Sequence, residues 1–162
     1  MLYLLDANVL IRAHEDYYPI DRVPPFWDWL AAQAVAGKAK MPFEIYDEIA
    51  NSTGLLNEWI TDANVKDALL LEEEVDIIIF NHVLDTAYAS DLSDDEMEEA
   101  GRDPFLIAYA LMGGDRAVVT KETSKPSKLR GRRKIPDACD IVGVAWITDF
   151  RFYKELDFRI SR

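Results

Sequence analysis

The pattern of apolar and polar positions predicts strands that alternate with helices along the chain. Short apolar runs predict β-strands at residues 2–5, 39–41, 116–120 and 144–147. Amphipathic stretches bounded by proline, glycine or serine predict helices, most clearly at residues 26–37, 42–52 and 103–114. The stretch 65–90 mixes acidic and β-branched residues, and we expect it to be mostly helical. This alternation is typical of an α/β sandwich around a parallel sheet.

Length and composition narrow the class of protein. A chain of 162 residues with 49% hydrophobic residues predicts one domain, residues 1–162, with a proper core. No stretch approaches the ~20 apolar residues that span a bilayer, and no basic region precedes the apolar N-terminus as in a signal peptide. Cys139 is the only cysteine, which excludes an internal disulfide and argues against a cysteine-based zinc site. Together these features favour a cytoplasmic protein.

The charge is distributed unevenly. The net charge is −12, yet the segment 121–134, KETSKPSKLRGRRK, carries seven basic residues and one acid, so it is +6 and the remainder −18. Such a loop can hold the phosphates of a nucleic acid in spite of an acidic body. A solvated surface loop, or a contact for an acidic partner, is an equally good interpretation. The candidate phosphate-binding residues are Lys125, Lys128, Arg130, Arg132 and Arg133.

Several acidic residues lie where strands and helices meet. Asp6 directly follows the first strand, and Asp103 precedes the apolar helix FLIAYALM. Glu122 comes two residues after the strand RAVVT, and Asp137 opens the helix before the last strand. Glu48 lies on a helix instead. Because functional groups of parallel sheets gather at the carboxyl ends of the strands, we expect these acids to meet in one cleft.

Clustered carboxylates imply a particular chemistry. They repel one another and resist joint ionisation, which a divalent cation relieves. Oxygen ligands suit hard ions such as Mg²⁺ or Mn²⁺. A pair of these ions can activate a water and stabilise the leaving oxygen of a phosphodiester. The two histidines, His14 and His82, are not arranged as a pair, and this chemistry does not need them.

Each candidate also has a purely structural interpretation. Asp6 and Asp103 could cap the helices that follow them, since aspartate is a favoured cap and Asp-Pro a common helix opening. Glu44 lies one turn before Glu48 on the same helix face, so either could be the ligand. Glu122 and Asp137 could be surface acids, or either could complete the site.

At this point the motifs resemble those of the PIN-domain ribonucleases. LLDANVLI resembles the first motif, in which a strand ends in a metal-binding aspartate followed two positions later by an asparagine, here Asn8. PFEIYDEIA resembles the second motif, with its glutamate on a helix. GRDPFLIAYALMGGDRAVVTKE resembles the third and fourth. The four motifs occur in the family's order and span most of the chain.

The resemblance implies a three-layer α/β/α sandwich and a ribonuclease that depends on Mg²⁺ or Mn²⁺. It also implies a VapC-type toxin of a toxin–antitoxin pair, with an antitoxin as partner and a possible homodimer. The implied metal ligands are Asp6, Glu48 and Asp103, with Glu122 or Asp137 completing the set and Asn8 assisting. Glu122 stands where the family usually has aspartate.

Two other function classes stay open. The Glu122 substitution is compatible with a catalytically inactive PIN-like module that binds RNA or protein without cutting. An aspartyl phosphatase would also place its nucleophile at the end of the first strand. That chemistry usually needs a second acid two residues later, where this chain has Asn8.

Overall fold

A four-stranded parallel sheet forms the centre of the protein. The computed structural model describes residues 1–160. Its strands are β1 (Leu2–Leu5), β2 (Ala39–Lys40), β3 (Arg116–Thr120) and β4 (Ala145–Thr148). They lie in the order β2-β1-β3-β4, and every pairing is parallel. Leu5 pairs with Val119, which in turn pairs with Ile147. The α/β class and the parallel sheet predicted from the sequence are confirmed.

Helices connect the strands and cover the sheet. Within residues 1–160 they are α1 (Ala7–Arg12), α2 (Pro24–Val35), α3 (Phe43–Ala50), α4 (Leu55–Thr61), α5 (Ala63–Leu69), α6 (Ile77–Val83), α7 (Asp94–Ala100), α8 (Asp103–Leu111), α9 (Ile135–Val142) and α10 (Asp149–Glu155). A π-helical turn, Ala13–Tyr17, continues α1, and another, Leu84–Tyr88, continues α6. None of the helices in this range combines the length and the apolar character needed to cross a bilayer.

The stretch 65–90 is mostly helical, as predicted, but its helices are interrupted between residues 70 and 76. Helix α5 ends at Leu69, and Leu70 then forms a parallel bridge with Met41. Helix α6 begins only at Ile77, where the Asp76 carboxylate accepts hydrogen bonds from the N–H groups of Ile78 and Ile79 at 2.9 and 3.3 Å. An aspartate that caps a helix competes with helix continuation through it, which explains the break.

The helices form layers on both faces of the sheet. Parallel crossovers are right-handed, and the chain moves from β1 to β2 in one direction and from β3 to β4 in the other. The connecting helices therefore cover opposite faces. Helices α2 and α10 pack together through aromatic rings, with Phe26 and Tyr153 centroids 5.1 Å apart, and α8 and α9 pack on the strands and on each other. The fold is the three-layer α/β/α sandwich that the resemblance implied.

The strand order creates a crevice between β1 and β3. The chain leaves β1 towards one edge of the sheet and leaves β3 towards the other, so the carboxyl ends of these two strands form a topological switch point. Asp6 follows β1 directly, and Glu122 follows β3 by two residues. Asp6 and Glu122, two of the predicted site residues, thus lie at the position in the sheet where open α/β folds bind their ligands.

Candidate functional site

Asp6 is a buried carboxylate that its helix does not use. Its side chain is 3% exposed, and its backbone N–H donates to the Val119 carbonyl oxygen at 3.0 Å. Asp6 stands at the N-cap position of α1 but makes no side-chain capping hydrogen bond there. Its Oδ2 atom is buried and has no hydrogen-bond partner within residues 1–160. The N–H groups of Ala7 and Asn8 at the start of α1 are near the carboxyl group, but capping does not account for the unpartnered Oδ2.

The electrostatic surroundings of Asp6 are acidic. Burial, the largest cause, and the charges of Glu122 and Glu48 together raise its pKa to about 7. The N–H groups of Asn8 and Ala7 lower it in part. Asn8 is half-buried in the first turn of α1. A group that resists ionisation in this way would be stabilised by a nearby cation.

Asp103 lies in the same acidic surroundings. It is the first residue of α8, with Arg102 rather than Asp103 at the cap position. Burial raises its pKa to about 8, and the charges of Asp6, Glu122 and Glu48 act in the same direction, while Lys134 lowers it. The fold therefore brings four of the predicted carboxylates close enough to repel one another.

Glu48, rather than Glu44, belongs to this group. Glu48 remains exposed as a residue, yet desolvation of its carboxyl group raises its pKa, which Arg102 lowers in part. Glu44 instead accepts a hydrogen bond from the Tyr109 hydroxyl at 3.2 Å. The charge of Glu48 acts on both Asp6 and Asp103, so Glu48 is the ligand that we predict. Glu44 Oε2 is also buried without a hydrogen-bond partner within residues 1–160, so the choice between the two glutamates stays a prediction.

Glu122 is held in place by two backbone contacts. Its own N–H donates to Thr120 Oγ1 at 3.0 Å, and its Oε2 accepts from the N–H of Ile135 at 2.8 Å. Ile135 is the first residue of α9, so the glutamate satisfies a free amide at this helix start. The length of glutamate, compared with the aspartate usual in the resembled family, is used to reach this amide.

The carboxylate of Asp137 forms hydrogen bonds to the basic loop and not to the carboxylate group. Its Oδ1 accepts from the Ser124 hydroxyl, and its Oδ2 accepts from the Lys125 N–H at 2.8 Å. These bonds hold the first part of the basic loop against α9. We therefore assign Asp137 to loop structure and do not carry it into the carboxylate group.

The basic loop and two of the four carboxylates, Asp103 and Glu122, line one cavity of about 400 Å³, and Asp6 and Glu48 are not among its lining residues. Its lining combines acids from three elements with cations of the loop: Glu99, Asp103, Glu122, Lys128, Gly131, Arg132, Arg133 and Lys134. Arg133 Nε is buried without a hydrogen-bond partner in the described part of the chain. Three of the five predicted phosphate-binding residues thus face the site, and Lys125 is not among the lining residues.

Arg130 faces away from the cavity and binds helix α7. Its guanidinium pairs with Glu96 at 2.6 Å and with Asp91 at 3.0 Å. Arg132, although it lines the cavity, also pairs with Glu99 at 3.2 Å. Gly131 lies so close to α7 that a Cβ atom there would be 2.4 Å from the Glu96 carbonyl oxygen. Much of the charge of the loop is therefore balanced within the protein.

The family of the chain is known from its sequence. The sequence model of the family described as "Domain of unknown function (DUF4411)" matches residues 3–160. The protein belongs to the DUF4411 family. No curated protein is similar enough in sequence to count as a relative. The matched range includes the sheet except for Leu2, and all the acidic and basic residues of the site.

The structure adds residues that sequence reasoning missed in this DUF4411 chain. Lys134 lines the cavity and lowers the pKa of Asp103. Lys134 could have been predicted from the sequence, since it is the last residue of the basic segment 121–134. Tyr88 is buried, its hydroxyl lacks a partner in residues 1–160, and burial and the charge of Asp103 raise its pKa. No signal in the sequence pointed to Tyr88.

The residues fit a hard divalent cation in their chemistry. Four carboxylates and an unpartnered buried Oδ2 on Asp6 are the donors such an ion prefers. As the side chains stand, no group of three or more His, Cys, Asp and Glu residues within 1–160 converges closely enough to hold an ion. Cation binding by these residues would therefore require movements of their side chains.

Proposed function

We propose that this DUF4411 protein is a divalent-metal-dependent ribonuclease that hydrolyses phosphodiester bonds of RNA. The observation that carries the proposal is the mutual repulsion of Asp6, Glu48, Asp103 and Glu122 at the switch point of the sheet. Such an arrangement is costly without a counter-charge, because each buried carboxylate loses hydration and faces like charges. Perturbed carboxylates in a cleft are typical of functional sites.

Mg²⁺ or Mn²⁺ is the cofactor that this donor set favours, since all four side chains offer hard oxygen ligands. A bound divalent cation would supply a Lewis acid that polarises a water molecule and the phosphoryl oxygens. Asp6, Glu48 and Asp103 would be its ligands. Glu122 would contribute Oε1, because Oε2 already accepts from Ile135 at 2.8 Å.

The cations of the cavity support a phosphate-containing substrate. Lys128, Arg133 and Lys134 line the same cavity as Asp103 and Glu122. Their charges would hold the RNA backbone beside the carboxylates, in a manner that weakens as salt concentration rises. Arg133 is the strongest candidate, because its buried Nε has no partner in residues 1–160 and can donate to a phosphate oxygen.

The direct test is an RNA-cleavage assay of the purified protein on structured and unstructured RNA. We expect cleavage with Mn²⁺ or Mg²⁺, loss of cleavage with EDTA, and recovery when excess Mn²⁺ is restored. The Asp6→Asn variant serves as the control for a contaminating nuclease. Wild-type protein that leaves every RNA intact at saturating Mn²⁺ would remove the ribonuclease proposal.

A second candidate function is an RNA- or protein-binding module that does not cut. It is favoured by the absence, within residues 1–160, of a carboxylate group already placed to hold an ion. Calorimetry separates the two candidates: the ribonuclease should bind Mn²⁺ through Asp6, whereas the module should bind RNA equally well with and without metal. Metal binding that Asp6→Asn abolishes excludes the inert module.

We also propose, from the resemblance to PIN-domain proteins, that the biological setting is a toxin–antitoxin pair. The ribonuclease would then arrest growth when expressed alone. Expression of wild-type protein should slow growth, expression of Asp6→Asn should not, and co-expression of the protein encoded by the neighbouring gene should restore growth. Normal growth with wild-type protein at the same level as the variant would exclude a toxin.

A further inference from the structure

Two large aromatic side chains beside the sheet are partly exposed to solvent. Tyr17 and Phe150 are 45% and 46% exposed. Their ring centroids lie 5.1 Å apart in an edge-to-face arrangement. The neighbouring rings of Phe26, Phe152 and Tyr153 are buried, so these two form the solvent-facing end of the aromatic cluster. We call the pair the Tyr17–Phe150 platform.

The platform is held by a buried ion pair. The Arg12 guanidinium lies 5.2 Å from the Tyr17 ring centroid and 4.6 Å from that of Phe150. Arg12 Nε and Nη2 contact Oδ2 and Oδ1 of Asp149 at 3.1 and 3.2 Å. Asp149 is 1% exposed. Because Asp149 fixes the Arg12 guanidinium, and the guanidinium contacts both rings, Tyr17 and Phe150 are held in one arrangement. Their side chains therefore lose little conformational entropy when a ligand stacks on them.

The platform lies on the same edge of the sheet as the carboxylates. Asp149 and Phe150 directly follow β4, and Thr148 of that strand pairs with Thr120 of β3. With neighbouring strands ~4.8 Å apart, the end of β4 lies about 10 Å from the end of β1, where Asp6 stands. Lys121, next to Glu122, lies close enough to lower the pKa of Asp149. This cation is therefore near the buried aspartate that holds Arg12 under the platform.

We propose that the Tyr17–Phe150 platform stacks an unpaired base of the RNA whose phosphodiester lies at the carboxylate site. This inference rests on the proposed ribonuclease function and adds a substrate class to it. Bases of single strands stack on exposed aromatic rings with little sequence preference, whereas bases in a duplex are already stacked on one another. The protein should therefore prefer single-stranded segments over duplex RNA.

The test measures binding in the Asp6→Asn background, which prevents cleavage during the measurement. The probes are a fluorescein-labelled single-stranded RNA and a set of otherwise identical oligomers, each with one abasic ribose. Phe150→Leu and Tyr17→Leu remove the aromatic faces and keep apolar side chains. Phe43→Leu, at a phenylalanine that is 53% exposed on α3, is the matched control.

We expect Phe150→Leu to raise the Kd for intact RNA about tenfold, the range of one base–aromatic stack. One abasic position should raise the Kd of the parent protein by a similar factor. Combining that oligomer with Phe150→Leu should give little further loss, because both changes remove the same contact. Phe43→Leu should leave the Kd unchanged, and all variants should melt within a few degrees of the parent.

Two results would overturn the platform. In the first, Phe150→Leu weakens every oligomer equally, including each abasic one, so the ring only completes the aromatic core. In the second, neither leucine variant changes any Kd. Both results leave cleavage by wild-type protein untouched, so they separate failure of the platform from failure of the ribonuclease proposal. If wild-type protein cuts no RNA, the ribonuclease proposal fails and the binding measurements alone decide whether a base stacks here.

Discussion

The backbone N–H of Asp6 donates to the carbonyl oxygen of Val119 at 3.0 Å, and this bond joins the ends of β1 and β3. The backbone of Asp6 is therefore placed by sheet pairing. Thr120 and Glu122 form the next contact along the same edge, at 3.0 Å between Oγ1 and the backbone N–H. Because backbone bonds position these residues, changes in their charge should leave the fold intact.

Asp6→Asn should abolish RNA cleavage and make the metal-free protein more stable near neutral pH. The amide keeps the size of the buried side chain and removes a charge that Glu122 and Glu48 oppose. Cleavage assays with Mn²⁺ and thermal melts in EDTA measure the two effects. Full activity of the variant at saturating metal, or a Tm below that of wild type, would contradict this role of Asp6.

The stability of the metal-free protein should fall as pH rises through neutrality. Aspartate in an unfolded chain titrates at 3.8, whereas Asp6 and Asp103 titrate at about 7 and about 8 in the folded protein. The folded state therefore binds these protons more tightly. The stability that they contribute is fully present below about pH 4 and is lost as pH rises through about 7 and 8.

Melting curves in EDTA across this range should record the fall in Tm, and saturating Mn²⁺ should reduce it because the cation replaces the protons. The double variant Asp6→Asn, Asp103→Asn lacks both groups and is the control, with a flatter profile in EDTA. A Tm of metal-free wild type that stays level or rises between these pH values would show that the carboxylates do not oppose one another.

Glu48→Gln and Glu44→Gln should have different consequences. Glu48 contributes charge to the site, and its side chain makes no hydrogen bond with the described residues 1–160. Its glutamine variant should therefore lose cleavage and keep its stability. Glu44 accepts from the Tyr109 hydroxyl at 3.2 Å, which a glutamine oxygen can also accept, so cleavage should be nearly unchanged. Metal titration by calorimetry should show weaker binding for Glu48→Gln alone. The reverse ranking would assign the ligand to Glu44.

The strands and the acids that follow them were predictable because each depends on local sequence. A buried strand of four or five residues has a clear apolar run, and in parallel sheets the residues after such runs share one edge. That rule predicts that Asp6 and Glu122 lie at the site. Asp103 was predicted because it stands at the start of an apolar helix. These predictions needed only the order of the elements along the chain.

Contacts between distant segments were not predictable in the same way. The pairing of Arg130 with Glu96 depends on how the basic loop folds back over α7, although the opposite charges of the two segments hinted at it. The Arg12–Asp149 pair joins residues 137 positions apart. Neither residue of that pair belongs to a motif, so nothing in the sequence marked them. Asp137 matched a plausible ligand position, but its hydrogen bonds go to the loop instead.

Glu122→Gln and Glu122→Asp should separate the charge of this residue from its reach. In the wild-type protein Glu122 Oε2 accepts from the Ile135 N–H at 2.8 Å, and a glutamine oxygen can accept the same bond. Glu122→Gln should therefore keep its stability, whereas its Mn²⁺ affinity and its RNA cleavage should fall. Aspartate keeps the charge but is one methylene shorter, so α9 loses its cap at a cost of about 1 kcal/mol. Calorimetry and thermal melts measure both. Equal metal affinity of Glu122→Gln and wild type would exclude Glu122 as a ligand.

Gly131→Ala should disturb the basic loop and weaken RNA binding. The added Cβ would lie 2.4 Å from the Glu96 carbonyl oxygen, a backbone atom that cannot move without shifting α7. Overpacking of this kind costs about 1–3 kcal/mol, and it would displace Arg132 and Arg133 from the cavity. Gly114→Ala is the matched control, because its added Cβ would have no atom within 4 Å in residues 1–160 apart from its chain neighbours.

Melting temperature and the Kd for single-stranded RNA in the Asp6→Asn background measure the effect of Gly131→Ala. We expect a lower Tm and a weaker Kd for this variant, and no change in either for Gly114→Ala. Arg130→Ala provides a further comparison: its ion pairs with Glu96 and Asp91 are exposed, so the Tm of this variant should change little. If Gly131→Ala lowers the Tm but binds RNA as tightly as its parent, the loop does not hold the RNA backbone, and the substrate must reach the carboxylates from another side.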